Sequence, residues 1–276
     1  MDLNGKTAFI TGGSSGIGLS IACLAMSRGA NVAIFARDKK NLSAALKRIE
    51  LQRISPTQTA CAYSLDVADN KTVPAAISRA ARECGAPYML VNSAGIGGAF
   101  RFEDVSYERF DQTVKINLYG TRNVIAACLP RMKTGGGHIV NISSIAGFLG
   151  VFGYTAYSAS KFAVIGFSEC LRAELRQYSI NVSVLCPPDT DTPMMRREDQ
   201  ARPEETRAIA GNAGYVSADF VAESLFRELG AHTFLIVPGV QGKMILFIKR
   251  LLPRLPEMVM NRTIRKIQSL RAGNTR

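Results

Sequence analysis

Short apolar segments alternate with longer segments of helical periodicity along most of the chain, and this alternation limits the possible folds more than any other feature. Several of the short segments are apolar along their whole length, as in strands that helices cover on both faces. The predicted strands are 7–10, 31–36, 60–64, 89–92, 138–142, 181–186 and 234–237, and the predicted helices are 17–28, 40–54, 71–84, 106–132, 157–178 and 217–229. The pattern predicts an α/β fold with one doubly wound, Rossmann-like parallel sheet and helices on both faces.

The length of 276 residues suits a single α/β domain with a tail, because such domains reach about 200 to 250 residues as one unit. We expect a Rossmann-like domain over 1–242 and a C-terminal tail over 243–276. Residues 189–214 interrupt the alternation, being polar and charged, with Pro193 and Pro203. We predict a substrate loop there, and a plain surface excursion is the alternative.

Cysteine and histidine usage bears on compartment and metal binding. The six cysteines are scattered without a CxxC pair, and the only histidines are His138 and His232. This usage favours a reducing compartment over a disulfide framework, and it predicts no metal site. The N-terminus lacks the apolar stretch of a secretory signal, and no apolar run reaches the roughly 18 to 20 residues that span a bilayer. We therefore expect a cytoplasmic protein, with peripheral attachment to the cytoplasmic face of a membrane as a further option.

A glycine-rich turn, TGGSSGIG at 11–18, follows the first predicted strand and opens the first predicted helix. Its glycines allow a tight turn and a close approach of the backbone, and the N–H groups at the helix start favour a pyrophosphate. The turn alone could be a structural loop. Between a strand and an amphipathic helix, it predicts a dinucleotide site.

The end of the second predicted strand indicates which dinucleotide is bound. NAD-preferring sites often place an acidic residue there, on the ribose 2′-OH, whereas this chain has Ala36 followed by Arg37. An arginine can form charge-assisted hydrogen bonds with a 2′-phosphate, and Lys39 or Lys40 could add to the positive field. We therefore expect NADPH/NADP+, although Arg37 could be a solvated surface charge, and a one-residue slip would bring Asp38 nearer the ribose.

Polar and small residues follow two further predicted strands. Asp66 comes after the third strand, and NSAG at 92–95 comes after the fourth. Open parallel sheets bind ligands at the carboxyl ends of their strands, so we expect the adenosine half of the cofactor to lie there. Taken alone, either feature could be only a helix cap or a turn.

Tyr157 and Lys161 lie four residues apart on a predicted helix, so their side chains share one face. A free tyrosine has a pKa near ~10, and an ammonium close by would lower it. Such a tyrosine can protonate the oxygen of a ketone under reduction. This pairing is common on helices, so the interpretation depends on two further residues.

Ser144 lies thirteen residues before Tyr157, just beyond a predicted strand, where its hydroxyl can donate to a substrate carbonyl. Asn117 lies within a predicted helix, where an amide has low helix propensity. It could carry a water relay to Lys161 or be a solvated helix residue.

These motifs occur in the order and spacing of the short-chain dehydrogenase/reductase family, which the chain resembles over roughly residues 5 to 240. The resemblance implies a catalytic triad of Ser144, Tyr157 and Lys161, which Asn117 completes to a tetrad. It also implies Asp66 near the adenine and Asn92 beside the adenosine ribose. With the residue chemistry above, the predicted cofactor-binding residues are Gly12, Ser14, Ser15, Gly16, Ile17, Gly18, Arg37, Lys40, Asp66, Val67, Asn92, Ala94, Gly95, Tyr157, Lys161, Pro187 and Thr192.

The segment after the sixth predicted strand departs from the family pattern of Pro-Gly followed by a threonine. It reads PPDTDTP at 187–193, so the permissive glycine is missing, while Thr192 still falls where the family's carboxamide-binding threonine would be. This string, together with RPEET at 202–206, resembles the branch of the family that reduces 3-ketodihydrosphingosine to sphinganine with NADPH. The resemblance therefore implies a long-chain lipid ketone as substrate.

The tail from Lys243 onward holds nine basic residues and one acidic residue, a net of +8 out of +12 for the chain. Its clusters of Ile, Leu, Phe and Met alternate with Lys and Arg, which favours a basic amphipathic extension in peripheral contact with a membrane. Packing of the tail on its own core or on a partner subunit is the alternative. We expect no nucleic-acid binding, since the cluster lacks a reading motif and base-stacking aromatic residues.

Three functional hypotheses follow. The first is NADPH-dependent reduction of 3-ketodihydrosphingosine or a similar lipid ketone, with the proton from Tyr157. The second is reduction of 3-oxoacyl thioesters or another ketone by the same residues. The third is a non-catalytic NADP(H)-binding sensor. The family resemblance also implies a homo-oligomer, a dimer or tetramer, with the long predicted helices 106–132 and 157–178 at the interface.

Overall fold

A computed structural model describes residues 2–211 and 215–274 of the chain, with side-chain burial through residue 270. The strands are β1 (Thr7–Thr11), β2 (Asn31–Ala36), β3 (Ala60–Ser64), β4 (Pro87–Asn92), β5 (Gly137–Ile142), β6 (Ile180–Leu185), β7 (Thr190–Asp191), β8 (Val216–Ser217) and β9 (Leu235–Ile236). The helices are α1 (Gly16–Met26), α2 (Lys39–Glu50), α3 (Val73–Cys84), α4 (Tyr107–Val114), α5 (Gly120–Gly135), α6 (Thr155–Leu175), α7 (Pro193–Ala201), α8 (Glu204–Ala210), α9 (Ala218–Leu229), α10 (Val240–Leu251) and α11 (Arg254–Asn274).

Seven strands form one sheet in the order β3-β2-β1-β4-β5-β6-β9, and every neighbouring pair is parallel. The predicted Rossmann-like fold is confirmed, and each of the seven predicted strands is a strand of this sheet. The strand order reverses between β1 and β4. In open parallel sheets such a switch point leaves a crevice at the carboxyl ends of the strands, where ligands bind.

The two faces of the sheet explain why its strands are apolar along their length. In β1, Ala8 and Ile10 pack in the core layer with α1, α2 and α9, while Phe9 between them packs in the layer with α3, α5 and α6. Ile34 and Phe35 of β2 divide between the layers in the same way. Neighbouring side chains of a strand point to opposite faces, so both must be apolar when helices cover both.

The segment 189–214 is more regular than its composition predicts. It contains α7 and α8, and β7 pairs with β8. The prolines that suggest a loop begin helices instead. Pro193 is the first residue of α7, where the Thr192 hydroxyl accepts a hydrogen bond of 3.2 Å from the Met195 N–H, and Pro203 directly precedes α8. A proline at a helix start lacks only an N–H that would have no partner within the helix.

The predicted helix 106–132 is divided into α4 and α5 by a π-helical segment, Lys115–Tyr119. Asn117 lies in this segment and is buried. The widened turn rotates the side chains that follow it, and such turns are frequent at functional sites.

The C-terminal tail forms α10 and α11. The predicted boundary at residue 242 falls inside α10, whose Gly242 packs so closely that an added Cβ would lie 2.7 Å from Val237. Helix α11 contacts both α8 and α10. Within residues 2–211 and 215–274, no helix combines the length and the apolar character that crossing a membrane requires.

Candidate active site

A cleft of about 1540 Å³ opens at the carboxyl ends of the strands. Its walls come from the glycine-rich turn, from the segments that follow β2 to β6, and from α7, α8 and the start of α10. Apart from Gly18, Lys40, Asn92 and Asn117, every predicted site residue lines this cleft.

The glycine-rich turn keeps its backbone open to the cleft. Gly12 has a φ of +65°, and an added Cβ would lie 2.7 Å from the Ser93 carbonyl oxygen. Gly18 packs behind the turn, where an added Cβ would lie 2.4 Å from the Gly12 carbonyl oxygen. Side chains at either position would displace the backbone. Helix α1 starts at this turn with no side-chain cap and no acidic residue in its first turn, which leaves N–H donors for an anion. The turn therefore fits the pyrophosphate of a dinucleotide.

Two residues of opposite charge, Arg37 and Asp38, line the cleft just beyond the end of β2. The strand ends at Ala36, so Arg37 is the first residue beyond it, and its side chain is exposed at the cleft. Asp38 caps α2, since its carboxylate accepts a hydrogen bond of 2.8 Å from the Asn41 N–H. Lys40 is exposed on α2, outside the residues that line the cleft. The Arg37 side chain is thus open to a ligand at this end of the cleft, while the neighbouring Asp38 carboxylate accepts a hydrogen bond at the start of α2.

The middle of the cleft is formed after β3 and β4. The Asp66 carboxylate accepts a hydrogen bond of 3.0 Å from the Ala68 N–H, and Ala94 and Gly95 line the wall beside it. Asn92 is buried below them and donates to Asn141 at 2.8 Å, while its own Oδ1 has no hydrogen-bond partner within the described residues. Sequence reasoning missed Thr11, whose hydroxyl accepts from the N–H groups of residues 93 and 94 at 3.2 Å and so fixes this turn.

Ser144, Tyr157 and Lys161 meet at the other end of the cleft. Ser144 follows β5, and its hydroxyl accepts a hydrogen bond of 3.1 Å from the Ala146 N–H. Tyr157 and Lys161 are on α6, with the Lys161 Nζ 5.6 Å from the centre of the Tyr157 ring. The same Nζ donates to the Ile142 carbonyl at 2.8 Å. The predicted triad is therefore assembled on two neighbouring elements of one wall.

Burial controls the protonation of these groups. It raises the pKa of Tyr157 above its ordinary value; the nearby Glu198 carboxylate adds to this rise, and a hydrogen bond with Ser144 opposes it. Burial also lowers the pKa of Lys161 to about 8. The expectation that Lys161 lowers the pKa of Tyr157 is not met in the protein alone, because burial has the larger effect and Nζ points to the Ile142 carbonyl. At neutral pH Tyr157 is a phenol, the form that can donate a proton.

Asn117 supports the loop after β4 from behind. Its Oδ1 accepts from the Ile96 N–H at 2.8 Å, and its Nδ2 donates to the Ile96 carbonyl and to the Ser160 hydroxyl, both at 2.9 Å. The side chain is thus neither solvated nor lining the cleft. It ties the loop to α6, which carries Tyr157 and Lys161.

Pro187 and Thr192 lie at the junction between the two ends of the cleft. The Pro187 carbonyl accepts a hydrogen bond of 3.1 Å from the Ile145 N–H, which links this turn to the one that carries Ser144. Thr192 contacts the glycine-rich turn, because an added Cβ at Gly16 would lie 3.0 Å from its Cγ2. The Pro-Pro sequence therefore builds the turn without the glycine that the family pattern has.

Sequence reasoning also missed a buried network around Arg202. Arg202 donates to the Tyr154 hydroxyl at 2.6 Å and forms an ion pair with Asp189 at 2.9 Å. It holds the end of α7 against α6 and against the turn after β6. The available signal was the spacing of Asp199 and Arg202, three residues apart, which form an ion pair at 3.4 Å.

Comparisons with known proteins agree with this geometry. Residues 6–203 match the model of the short chain dehydrogenase family. The chain is 38% identical over 250 residues to a 3-dehydrosphinganine reductase from Danio rerio, covering 89% of this chain and 74% of that protein. It is 40% identical over 235 residues to a 3-dehydrosphinganine reductase from Arabidopsis thaliana, covering 84% and 69%. Among solved structures, actinorhodin polyketide ketoreductase with NADPH superimposes with a TM-score of 0.77 at 30% identity, covering 84% of this chain and 95% of that one.

Proposed function

This chain belongs to the short-chain dehydrogenase family, and we propose that it reduces 3-ketodihydrosphingosine to sphinganine with NADPH. One observation carries the proposal: Ser144, Tyr157 and Lys161 meet at one end of a dinucleotide-shaped cleft in a chain this similar to 3-dehydrosphinganine reductases. The substrate named for those relatives is a long-chain ketone, which needs both a proton donor and an apolar wall.

The cofactor fits the residues at the far end of the cleft. The glycine-rich turn and the start of α1 would hold the pyrophosphate, Arg37 the 2′-phosphate, and Asp66 and Asn92 the adenosine half. NADPH supplies the hydride that reduces the ketone carbon. Pro187 and Thr192 would border the nicotinamide half, next to Ser144.

The protein's own part in the reaction is to place the ketone and to supply its proton. The Ser144 hydroxyl donates a hydrogen bond to the ketone oxygen and stabilises the charge that develops there. Tyr157, a phenol at neutral pH, transfers its proton to that oxygen. The Lys161 ammonium, held at the Ile142 carbonyl, stabilises the phenolate that remains. Asn117 holds the loop after β4 against α6 through its hydrogen bonds to Ile96 and Ser160.

The cleft also offers an apolar wall for an alkyl chain. Eight aliphatic or thioether side chains line it together with charged residues of the same elements: Leu149, Val151, Met194, Met195, Ile209, Ala210, Val240 and Ile245. Methionines adapt to irregular apolar ligands. These residues come from the turn after β5, from α7, α8 and α10, so the elements beyond the sheet provide the surface for a lipid.

A substrate panel tests the proposal. Purified protein in detergent is given NADPH with either 3-ketodihydrosphingosine or a 3-oxoacyl thioester of equal chain length, and absorbance follows NADPH loss. We expect kcat/KM to be at least about tenfold higher for 3-ketodihydrosphingosine, a difference of about 1.4 kcal/mol. No turnover of 3-ketodihydrosphingosine, or preference for the thioester, would overturn the proposal.

The side chain of Arg37 determines the choice between NADPH and NADH. We expect Arg37→Ala to lower kcat/KM for NADPH by about 10-fold to 100-fold, because hydrogen bonds to a charged group contribute about 1.5 to 3 kcal/mol. NADH, which has no 2′-phosphate, should change less than about threefold. Arg48→Ala, an exposed arginine of α2 away from the cleft, is the matched control. Equal losses with both cofactors would contradict this role.

We further propose that α10 and α11 contact the surface of an anionic membrane. Phe247 and Leu251 of α10 are 64% and 62% exposed, and Leu252, Met258 and Val259 beyond them are also exposed. Basic residues such as Lys249 and Arg250 are interleaved with them, as in helices that lie at a charged lipid interface. Ile245 of the same helix lines the cleft, so α10 connects the exposed apolar surface with the alkyl wall.

Removal of two apolar groups tests this contact. Phe247→Ser with Leu251→Ser should weaken binding to phosphatidylcholine vesicles that contain phosphatidylserine by at least about tenfold, since burial of each such side chain contributes about 1.5 to 3 kcal/mol. The control is Leu51→Ser with Ile54→Ser, two residues after α2 that are 82% and 67% exposed. Vesicle co-sedimentation measures both. Similar binding of the two double variants, or no binding of the unmodified chain, would contradict the proposal.

We also propose a homo-oligomer that forms through α5 and α6. Tyr119, directly before α5, and Phe162 on α6 are 54% and 44% exposed, which leaves apolar surface on these helices. Light scattering of the purified protein measures the assembly.

A further inference from the structure

The Glu198 carboxylate is the acidic group of the cleft that lacks an internal partner. It is half-buried on α7, and it makes no hydrogen bond or ion pair with any other residue in the described part of the chain. The cleft's other four acidic residues, Asp38, Asp66, Asp189 and Asp199, each accept a hydrogen bond or an ion pair. A half-buried carboxylate is costly without a cation or a donor beside it.

The side chain of Glu198 faces the reacting end of the cleft. It packs against Gly97 in the loop after β4, where an added Cβ would lie 1.9 Å from the Glu198 Oε1. A side chain at residue 97 would therefore require the Glu198 carboxylate to move. From there the carboxylate raises the pKa values of both Tyr157 and Lys161 by its charge. Glu198, Tyr157 and Lys161 all line the same cleft.

The Arg202 guanidinium attracts the Glu198 carboxylate but forms its ion pairs, within the described residues, with Asp189 and Asp199. Arg202, one turn further along the chain, directs its guanidinium to Tyr154 and Asp189. Burial therefore prevails over the attraction of Arg202 and raises the pKa of Glu198 to about 7. The carboxylate is prepared to accept a cation from a ligand, because such a cation would offset the cost of its burial.

The proposed substrate carries a suitable cation. In 3-ketodihydrosphingosine an amino group is attached to the carbon next to the ketone, and amines of this kind are protonated at neutral pH. Resting on the proposed function, we infer that the Glu198 carboxylate binds the ammonium group beside the ketone and so selects α-amino ketones over neutral ketones. The ion pair would also fix which side of the carbonyl faces Tyr157.

Two substrates with and without the amine test the inference. The protein is assayed with 3-ketodihydrosphingosine and with 1-hydroxyoctadecan-3-one, which is identical except for the missing amino group. For Glu198→Gln we expect the ratio of kcat/KM, amino ketone over neutral ketone, to fall by about 30-fold to 100-fold, mainly through KM. Glutamine keeps the shape that packs against Gly97. Glu174→Gln, an exposed glutamate of α6, should leave the ratio unchanged.

The pH dependence of kcat/KM distinguishes an ion pair with the substrate from a purely structural role of Glu198, because a structural role would not change it. With 3-ketodihydrosphingosine, kcat/KM of the unmodified protein should fall as pH drops through about 7, where the carboxylate becomes protonated. Lys161, with a pKa of about 8, is already charged in this range. Glu198→Gln should remove this acidic limb. Several charged and titratable groups face Glu198 and influence the pH at which kcat/KM falls. They are Arg202, Asp199, Asp189, Lys161, Tyr154 and Tyr157.

The outcomes separate the two proposals. Absence of 3-ketodihydrosphingosine reduction by the unmodified protein overturns both. Normal reduction with an unchanged substrate ratio in Glu198→Gln overturns only the amine assignment, and so does an equal loss with both ketones. Retention of most of the ratio in Glu198→Asp, which keeps the charge, would support the ion pair. The thermal unfolding midpoint of each variant confirms that it is folded.

Discussion

Tyr157→Phe should lower kcat for 3-ketodihydrosphingosine by about 10³-fold while the dissociation constant for NADPH changes less than about threefold. The substitution removes the proton donor, and general acid catalysis contributes about 10² to 10⁴ in rate. The ring itself stays, so its packing against Tyr154 at 5.5 Å and below the Lys161 ammonium is retained. Stopped-flow absorbance measures kcat, and fluorescence titration measures cofactor binding.

The control for this result is Tyr178→Phe, which removes a phenol in the 3-10 turn that follows α6, the helix that carries Tyr157. It should keep its turnover within about twofold. A Tyr157→Phe variant with nearly full turnover would show that the proton comes from elsewhere. It would also revive the hypothesis of a nucleotide-binding sensor without catalysis.

Gly12→Ala should weaken NADPH binding by about 100-fold and lower the thermal unfolding midpoint. Two effects combine at this position. The φ of +65° disfavours a side chain, and the new Cβ would lie 2.7 to 2.8 Å from the backbone of residues 93 and 94. Overpacking of this kind costs about 1 to 3 kcal/mol, and the displaced backbone belongs to the turn that would hold the pyrophosphate.

Gly5→Ala is a matched control for the backbone strain. Gly5 has a φ of +66°, and an added Cβ there would have no atom within 4 Å. Gly5→Ala should therefore cost about 1 to 2 kcal/mol of stability from conformation alone and leave NADPH affinity unchanged. Equal NADPH affinities for the two variants would contradict the assignment of Gly12 to the cofactor site.

The strands and many of the site residues could be predicted from the sequence, because the position of a residue in a strand or a turn fixes its environment. Strands covered on both faces must be apolar along their length, so the seven strands of the sheet can be located from composition. We could predict that the glycine-rich turn, Arg37 and the triad belong to one site, because the carboxyl ends of parallel strands meet at one edge of the sheet. The same rule places most of the predicted site residues in one cleft.

What the sequence could not predict depends on side-chain direction and on contacts between distant elements. The four-residue spacing of Tyr157 and Lys161 does not reveal that Nζ reaches the Ile142 carbonyl, nor that burial raises the pKa of the phenol. The prolines of 189–214 suggest a loop, but a threonine before a proline, as at residues 192 and 193, also fits a helix start, and the Thr192 cap shows that α7 begins there. Glu198 packs against Gly97, a residue about a hundred positions earlier in the chain.

The most direct test of reduction in this cleft uses NADPH that carries two deuterium atoms at nicotinamide C4. Unmodified protein given this cofactor and unlabelled 3-ketodihydrosphingosine should form sphinganine with one deuterium at C3, in equal amount to the NADPH consumed. Tyr157→Phe should form about a thousandth as much in the same time. Consumption of NADPH without labelled sphinganine, or product without deuterium at C3, would contradict direct reduction of the ketone by this protein.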